Sequence, residues 1–150
     1  MQFSNTVTIR RSAAEVFAFL SDFENLPLWN YDYAIGQTRR SGTGPVGVGT
    51  RYTQIRTVPR RAVETFEVTD HEPEQLVAIR GTLGPFRATS SYRLETAGAA
   101  TVLTSSMTLE PAGGLRLVAS LAAPRVQKAV AENLQALKHL LEEDSSRSTA

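Results

Sequence analysis

The first 30 residues carry two hydrophobic periods in succession. Apolar and polar side chains alternate over residues 2–10, which is typical of a β-strand with one buried face. Ser12 then opens a capping box, in which Glu15 can reach back to the Ser12 amide. Apolar residues follow at helical spacing, and Ser21-Asp22 can cap a second short helix that Pro27 prevents from continuing. The pattern predicts a strand followed by two short helices.

Residues 33–110 alternate over six further predicted strands, and the turns between them set how the strands pair. Two-residue turns at Pro73-Glu74, Gly84-Pro85 and Gly98-Ala99, with a loop at 58–60, give one consistent register. A slip of one residue would turn a strand inside out, so this agreement predicts an antiparallel sheet with one apolar and one charged face. The predicted pairs are Tyr52 with Phe66, Gln54 with Glu64, Val68 with Ile79, Glu72 with Gln75, Val77 with Tyr92, Ile79 with Ser90, Ser90 with Met107, Tyr92 with Ser105 and Leu94 with Leu103.

One long helix is predicted over residues 113–143. Apolar positions recur every three to four residues from Val126 to Leu141, so the helix needs an apolar surface to cover, and the apolar face of the sheet is the available partner. Pro124 is expected to kink or break it after a very apolar first half. Residues 144–150 are predicted to form a polar tail. No linker or repeat divides the chain, so residues 1–143 are predicted to form a single domain.

Composition narrows the possible functions. The chain has 150 residues, of which 41% are hydrophobic, as in an ordinary globular domain. A formal net charge of +1 gives no electrostatic reason to expect nucleic-acid binding. The absence of cysteine excludes disulfides and thiolate chemistry. Neither a membrane-spanning run nor a secretory leader is recognisable, so we expect a cytoplasmic protein.

Two motif-like features are interpreted as structural. Residues 42–47, Gly-Thr-Gly-Pro-Val-Gly, have the spacing of a dinucleotide-binding loop, but the chain then continues as a strand, whereas that fingerprint requires a helix. We interpret them as a glycine-rich turn. His71 and His139 are the only histidines, lack metal-ligand spacing and are interpreted as surface residues. We therefore expect neither a metal nor a cofactor.

Glu64 falls on the apolar face of the predicted sheet, next to Gln54 and with Arg56 further along the same neighbouring strand. A carboxylate on an inward face must be paired, hydrated or protonated. Glu64 is therefore either a structural partner of Gln54 or Arg56, or a pocket acid that orients a ligand or transfers protons.

Three hydroxyl-bearing residues, Ser90, Tyr92 and Ser105, point to the same face among apolar neighbours. They either line a ligand cavity or form hydrogen bonds within a solid core, and we expect the cavity. Trp29, the only tryptophan, follows the helix break at Pro27. It either caps the core or lines the rim of that cavity, and we expect the rim or wall, with Tyr31 and Tyr33 nearby.

The order of predicted elements and four segments resemble the START-like superfamily, the helix-grip fold, and within it the polyketide cyclase/dehydrase-like (SRPBCC) branch. The segments are SAAEVFAFLSDFENLPLWN, GPVGVGTRYTQ, FEVTDHEPEQLVAIRGTLGPF and NLQALKHLLE, and the resemblance spans roughly residues 3–142. It implies an α+β fold of the Bet v 1/START-like type. In that fold a curved antiparallel seven-stranded sheet wraps around the long C-terminal helix, two short helices follow strand 1, and a deep cavity separates sheet and helix. The segments are patterns of caps, turns and spacing, so they identify no catalytic residue.

The resemblance implies a protein that binds a small hydrophobic or amphipathic molecule, such as a lipid, polyketide or aromatic compound, in that cavity. Pro124 would let the first half of the long helix move as a gate. One alternative is a cyclase/dehydrase-type enzyme in which Glu64 and Tyr92 transfer protons and Arg56 stabilises an enolate. Another is an interaction module whose cavity is incidental. We expect a monomer or homodimer. The residues predicted to contact the ligand are Trp29, Tyr33, Tyr52, Gln54, Glu64, Phe66, Ile79, Ser90, Tyr92, Ser105, Met107, Val118 and Leu121.

Overall fold

The computed structural model describes residues 1–30, 35–57, 61–83, 86–111 and 116–148, with the side chains of the C-terminal helix described from 124 to 143. The predicted Tyr31 and Tyr33, and the side chains of Val118 and Leu121, lie outside these residues. The elements in chain order are β1 (Gln2–Ile9), α1 (Ala13–Leu20), a 3₁₀ helix (Phe23–Leu28), β2 (Ile35–Ser41), β3 (Arg51–Arg56), β4 (Ala62–Glu72), β5 (Leu76–Leu83), β6 (Phe86–Ala97), β7 (Ala100–Pro111) and α2 (Arg116–Ser148).

The two short helices begin at the predicted caps. The Ser12 hydroxyl accepts a hydrogen bond from the Glu15 amide at 3.2 Å, and the Asp22 carboxylate accepts one from the Glu24 amide at 3.2 Å. One detail of the capping prediction is wrong, because the Glu15 carboxylate accepts from the Ser12 hydroxyl (3.2 Å) rather than from its amide. The second helix is a 3₁₀ helix that contains Pro27. Both helices turn apolar side chains toward the sheet.

The seven strands form one antiparallel sheet in the order β1-β7-β6-β5-β4-β3-β2. Every predicted register pair is present except the one at the β4–β5 turn. There Glu72 pairs with Leu76 rather than with Gln75, because the turn has three residues instead of two. A bulge at Thr69 absorbs the extra residue and restores the predicted pairing of Val68 with Ile79. The two deviations cancel, so the side chains beyond the bulge keep the predicted face.

The glycine-rich segment at 42–47 connects β2 to β3, as the interpretation of a turn required. Gly42 and Gly44 have φ of +87° and +100°, a conformation that glycine adopts without steric cost. Gly81 serves a different purpose, because it lies opposite Phe66 where the strands approach closely. A Cβ atom at Gly81 would lie 2.4 Å from the carbonyl oxygen of Thr65. Only glycine fits at this point of the sheet.

Helix α2 is continuous from Arg116 to Ser148 and includes Pro124. Of the two outcomes expected at Pro124, a kink or a break, the break is therefore absent. The predicted end of the helix at residue 143 is also wrong, because residues 144–148 are helical. Serine, aspartate and glutamate are tolerated near the end of a helix, so polarity alone did not identify the terminus.

The second half of α2 is attached to the edge strand β1 by charged groups. Lys138 donates to the Thr8 carbonyl oxygen (2.5 Å), and the Arg11 side chain donates to the Leu141 carbonyl oxygen (2.8 Å). The Glu142 carboxylate accepts from the Arg10 amide (2.9 Å). The contact from Lys138 covers a backbone carbonyl of β1, and the contact from Glu142 covers the amide of Arg10 directly after the strand, at an edge of the sheet.

The core lies between the apolar face of the sheet and the helices. Its largest fully buried side chains come from β3, the 3₁₀ helix, α1, α2 and the sheet centre, among them Tyr52, Phe23, Leu20, Leu103 and Leu137. A smaller cluster of Phe86, Leu109 and Val126 lies at the other end of the sheet. Within the described parts of the chain, no helix combines the length and apolarity needed to cross a membrane.

Candidate functional site

A cavity of about 100 Å³ separates the sheet from the 3₁₀ helix and α2. Its wall is mostly apolar, with contributions from β3, β4, β5, β6 and β7 on one side and from α2 on the other. Seven of the residues predicted to contact a ligand line it, together with Arg56: they are Trp29, Gln54, Phe66, Ile79, Ser90, Tyr92 and Met107.

The cavity is small compared with the lipids, polyketides and aromatic compounds that were expected to bind in it. An engineered cavity of roughly 150 Å³ accommodates benzene, whereas pockets for drug-sized molecules have volumes of roughly 300–1,000 Å³. A volume of about 100 Å³ therefore suits a single small ring or a few water molecules. Any larger ligand requires the wall to move.

Three polar side chains form a buried cluster at the cavity wall. The Glu64 Oε1 atom accepts hydrogen bonds from Gln54 Nε2 (2.9 Å), Arg56 Nε (3.0 Å) and Arg56 Nη2 (2.7 Å). The side chains of Arg56 and Glu64 are 7% and 5% exposed. Register explains the assembly, because Gln54 is paired with Glu64 on the adjacent strand and Arg56 follows two residues later on the same face.

Glu64 lies behind this wall. Gln54 and Arg56 line the cavity, but Glu64 does not. Of the two sequence-based alternatives for Glu64, the geometry supports the structural partner, because its Oε1 atom is occupied by Arg56 and Gln54. Its chemical effect is to fix the orientation of both side chains and to balance the Arg56 charge.

Tyr92 is the most distinctive polar group on the wall. The residue is 8% exposed, and its ring packs edge-on against Trp29 with centroids 6.2 Å apart. Its hydroxyl forms no hydrogen bond with any residue in the described ranges. Burial raises the pKa of Tyr92 to about 12, so the phenol stays protonated at neutral pH and can donate a hydrogen bond.

Ser90 and Ser105 have different positions although both are buried. Ser90 lines the cavity and, like Tyr92, has no hydrogen-bond partner among the residues whose side chains are described. Ser105 is paired with Tyr92 on β7, as the register predicted, but does not line the cavity. The inward hydroxyls therefore divide between the cavity wall and the core.

Trp29 satisfies both of the interpretations that its sequence position allowed. It is 3% exposed and belongs to the main core cluster, yet it also lines the cavity. Its backbone amide donates to the Leu26 carbonyl oxygen (3.2 Å), which ends the 3₁₀ helix, and its ring packs edge-on against Tyr92. Trp29 is therefore a buried residue that forms part of the cavity wall.

Tyr52, which was predicted to contact a ligand, lies in the aromatic core instead. Its ring stacks on Phe66 at 5.1 Å and meets the edge of Phe23 at 5.5 Å. The residue is on the predicted face of β3, but the 3₁₀ helix covers that position, and it does not line the cavity. Burial, followed by the nearby Asp22 carboxylate, raises the pKa of Tyr52.

The sequence predicted cavity contacts from the first half of α2, at Val118 and Leu121, but missed the contribution of its second half. Val126, Val130 and Asn133 line the cavity, and Asn133 is 5% exposed. The available signal was an asparagine on the stripe that joins Val126 and Val130 to Leu137, where a helix that only covers a core would carry an apolar residue.

The two histidines are not part of this site. His139 is exposed, as expected, whereas His71 is half-buried and its ring lies 5.3 Å from that of Phe17 in an edge-on arrangement. The surface interpretation is therefore wrong for His71. Among the described side chains, no group of three or more His, Cys, Asp or Glu is arranged to hold a metal ion.

Comparisons with known proteins agree with this architecture. The sequence model of a family described as "Polyketide cyclase / dehydrase and lipid transport" matches residues 1–142. None of the curated proteins matches the chain significantly.

Several solved structures share the fold at low sequence identity. TTHA0849 from Thermus thermophilus has a TM-score of 0.78 and 16% identity, over 97% of this chain and 99% of that one. The ZhuI aromatase/cyclase from Streptomyces sp. R1128 has a TM-score of 0.74 and 16% identity, over 95% and 93% of the two chains. Ara h 8.0201 has a TM-score of 0.72 and 14% identity, over 95% and 98%. At these identities the likeness establishes the helix-grip fold alone.

Proposed function

Because the chain belongs to the polyketide cyclase/dehydrase and lipid transport family, we propose that it binds a small hydrophobic or amphipathic molecule in the cavity between the sheet and α2. The observation that carries this proposal is the pair of hydroxyls, on Tyr92 and Ser90, that line a mostly apolar cavity without a hydrogen-bond partner among the described residues.

Unpaired hydroxyls are costly in a solid core. A buried donor left without a partner costs about 1–3 kcal/mol, and a filled core at these positions would more often contain Val, Leu or Ile. A ligand that accepts hydrogen bonds from Tyr92 and Ser90 offsets this cost. Its apolar part would bury surface against Trp29 and Ile79, which stabilises the complex by roughly 25 cal/mol per Å² before the costs of association.

The polar groups on the wall define how such a ligand is oriented. Tyr92 and Ser90 come from β6, Gln54 and Arg56 from β3, and Asn133 from α2. Asn30 and Thr82 also line the cavity, and the rest of the wall is apolar. An apolar molecule with an oxygen-bearing end fits this distribution. The proposed role is that of a carrier or receptor for such a molecule.

The test of binding uses the freshly purified protein. Native mass spectrometry, followed by solvent extraction, should detect a co-purifying apolar molecule, and added lipids or aromatic polyketides should shift the mass of the apo form. Ser90→Leu fills the cavity and should abolish binding. Thr89→Leu, on the exposed face of the same strand, is the matched control and should bind as the wild type does. A clean apo mass that no compound shifts would contradict the proposal and favour an interaction module.

A cyclase/dehydrase-type enzyme is the second candidate, favoured by the presence of Arg56 and Tyr92 on one cavity wall. A guanidinium and a protonated phenol are both suited to stabilising an enolate. With a pKa of about 12, Tyr92 would act as an acid rather than a base. Glu64 would hold Arg56 in position instead of transferring protons itself, which differs from the role expected from sequence.

Tyr92→Phe separates the two candidates. In a carrier it removes one hydrogen bond, and binding should weaken by about tenfold or less. In an enzyme it removes a proton donor, and turnover of a poly-β-ketone substrate analogue should fall by about 100-fold or more. Both quantities are measured on the same preparation, by titration and by product analysis.

A further inference from the structure

We infer that Glu64 makes this cavity selective for uncharged hydrogen-bond acceptors, such as ketones and esters, over carboxylates. The inference rests on the proposed ligand binding and concerns the chemical class of the ligand. It assigns to Glu64, which does not touch the cavity, a role in specificity that is exerted through Arg56.

Arg56 places a positive charge at the cavity wall. Among the described residues that line the cavity, Arg56 is the one that carries a charge. An isolated buried guanidinium would attract an anionic ligand strongly, because the low dielectric of the interior enlarges electrostatic interactions. Arginine is also well suited to bidentate recognition of a carboxylate.

The carboxylate of Glu64 already occupies the position beside the Arg56 guanidinium that a ligand carboxylate would take. Glu64 Oε1 accepts from both Nε and Nη2 of Arg56 at 3.0 and 2.7 Å. Both side chains are more than nine-tenths buried, so solvent does not screen the pair effectively. The ion pair is neutral as a unit, and a ligand in the cavity therefore meets no net positive charge from it.

A ligand carboxylate would pay two energetic penalties on entering the cavity. It would lose its hydration on entry and would be repelled by Glu64, and only the already compensated Arg56 would face it. A neutral carbonyl oxygen has neither penalty. It can accept from Tyr92 or Ser90, whose hydroxyls line the same cavity.

The experiment compares two single-ring probes of similar shape, acetophenone and benzoate, the second of which is ionised at neutral pH. Binding to the full chain is measured at pH 7 by NMR titration. We expect the wild type to bind acetophenone at least tenfold more tightly than benzoate. Glu64→Gln removes one negative charge from beside Arg56, and this ratio should shift toward benzoate by at least tenfold.

Glu67→Gln is the matched control. Glu67 is on the same strand but on the opposite face, where it pairs with Arg80 at 2.9 Å, so its substitution should leave the ratio unchanged. The double variant Glu64→Gln/Arg56→Gln keeps the cluster uncharged and serves where Glu64→Gln alone does not fold. It should still reject benzoate, because no cation remains among the described residues that line the cavity.

The outcomes separate this inference from the proposal on which it rests. Equal binding of both probes by the wild type, an unchanged ratio in Glu64→Gln, or tight benzoate binding by the double variant would each overturn the inference while leaving ligand binding intact. Failure of both probes to bind, or acetophenone binding that survives Ser90→Leu, would overturn the proposed function and this inference together.

Discussion

Single residues attach the long helix to the edge of the sheet, and Glu142 is the clearest case. Its carboxylate accepts from the Arg10 amide at 2.9 Å and from Lys138 Nζ at 2.8 Å. Partial burial raises the pKa of Glu142, but these hydrogen bonds outweigh burial and lower it to about 2. A group whose pKa is depressed in the folded state stabilises that state when it is ionised.

Glu142→Gln should therefore destabilise the protein by about 1–3 kcal/mol at pH 7. The stability contributed by Glu142 is fully present above its unfolded pKa of 4.5 and is lost as the pH falls toward about 2. The difference between wild type and variant should accordingly shrink over that interval. Urea unfolding at pH 7, 4 and 2.5 measures it. Glu95→Gln, at an exposed position, is the control, and an equal effect at both sites would contradict the assignment.

Gly81 is the second residue on which the fold depends locally. A Cβ atom there would approach the Thr65 carbonyl oxygen to 2.4 Å and Phe66 Cβ to 2.5 Å. Because both neighbours belong to a paired strand, neither can move without disturbing the sheet. We expect Gly81→Ala to cost about 2–4 kcal/mol in the free energy of unfolding.

Gly47→Ala provides the comparison for Gly81→Ala, because a Cβ atom at Gly47 meets nothing within 4 Å. Its effect should stay within about 0.5 kcal/mol. Thermal unfolding of both variants measures the contrast. Similar stabilities of the two variants would show that the sheet adjusts at Gly81 without strain.

For single residues, the sequence predicted the candidate site correctly wherever the face of the strand on which a residue lies determines whether it lines the cavity. Strand alternation placed Gln54, Ser90 and Tyr92 on the apolar face, and all three line the cavity. Alternation could not reveal that the 3₁₀ helix covers Tyr52 or that Glu64 is directed at Arg56 rather than into the cavity. Those outcomes depend on packing between elements that are far apart in the chain.

At the scale of elements, the β4–β5 connection shows how a turn can be mispredicted while the sheet is predicted correctly. Pro73-Glu74 suggested a two-residue turn, but the turn includes Gln75, whose carbonyl oxygen accepts from the Leu94 amide of β6 at 2.8 Å. This contact with a third strand stabilises the longer turn. No local pattern could indicate it, because residues 75 and 94 are brought together only by the sheet.

The same turn contains a strained residue. Glu74 has a φ of 66° and is the one non-glycine residue with positive φ among those described. The left-handed conformation costs roughly 1–2 kcal/mol for a residue with a Cβ atom, partly offset in a glycine variant by greater freedom of the unfolded chain. Glu74→Gly should raise the free energy of unfolding by about 0.5–1 kcal/mol, measured by urea denaturation. Glu72→Gly, within β4, should lower it, and a loss of stability at both positions would contradict the argument.

For helix α2, the sequence predicted the packing face correctly but not the length of the helix. Its apolar stripe predicted the face that packs on the sheet, and Val126, Leu134, Leu137 and Leu141 are buried as that stripe requires. The helix nevertheless continues through Pro124 and on to Ser148. Propensity gives the local cost of proline and of polar residues, whereas the length of a helix is set by the sum of all its contacts.

At the scale of the whole molecule, the size of the cavity and the proposed ligand class are in tension. A volume of about 100 Å³ holds one small ring, so a polyketide or lipid enters only if the wall opens. Val126 and Val130 form part of the α2 wall and follow directly after Pro124. Proline lacks an amide hydrogen, so the helix is missing one backbone hydrogen bond where it meets the cavity.

This arrangement makes Pro124 the proposed hinge for admitting large ligands. Pro124→Ala restores the missing hydrogen bond and should stabilise the protein by about 1–3 kcal/mol. It should also slow the association of N-phenyl-1-naphthylamine, a neutral fluorescent probe larger than the cavity, by about fivefold or more, because opening now breaks an additional hydrogen bond. Stopped-flow fluorescence measures this rate.

Two controls distinguish a hinge from a general change in the helix. Arg125→Ala alters the adjacent exposed residue and keeps the proline, so probe association should be unchanged. Acetophenone is smaller than this probe and requires less opening of the wall, so Pro124→Ala should slow its association less. If both probes slow equally, the substitution has changed the cavity itself. If neither slows, ligands enter through another part of the wall, and the first half of α2 is not the gate.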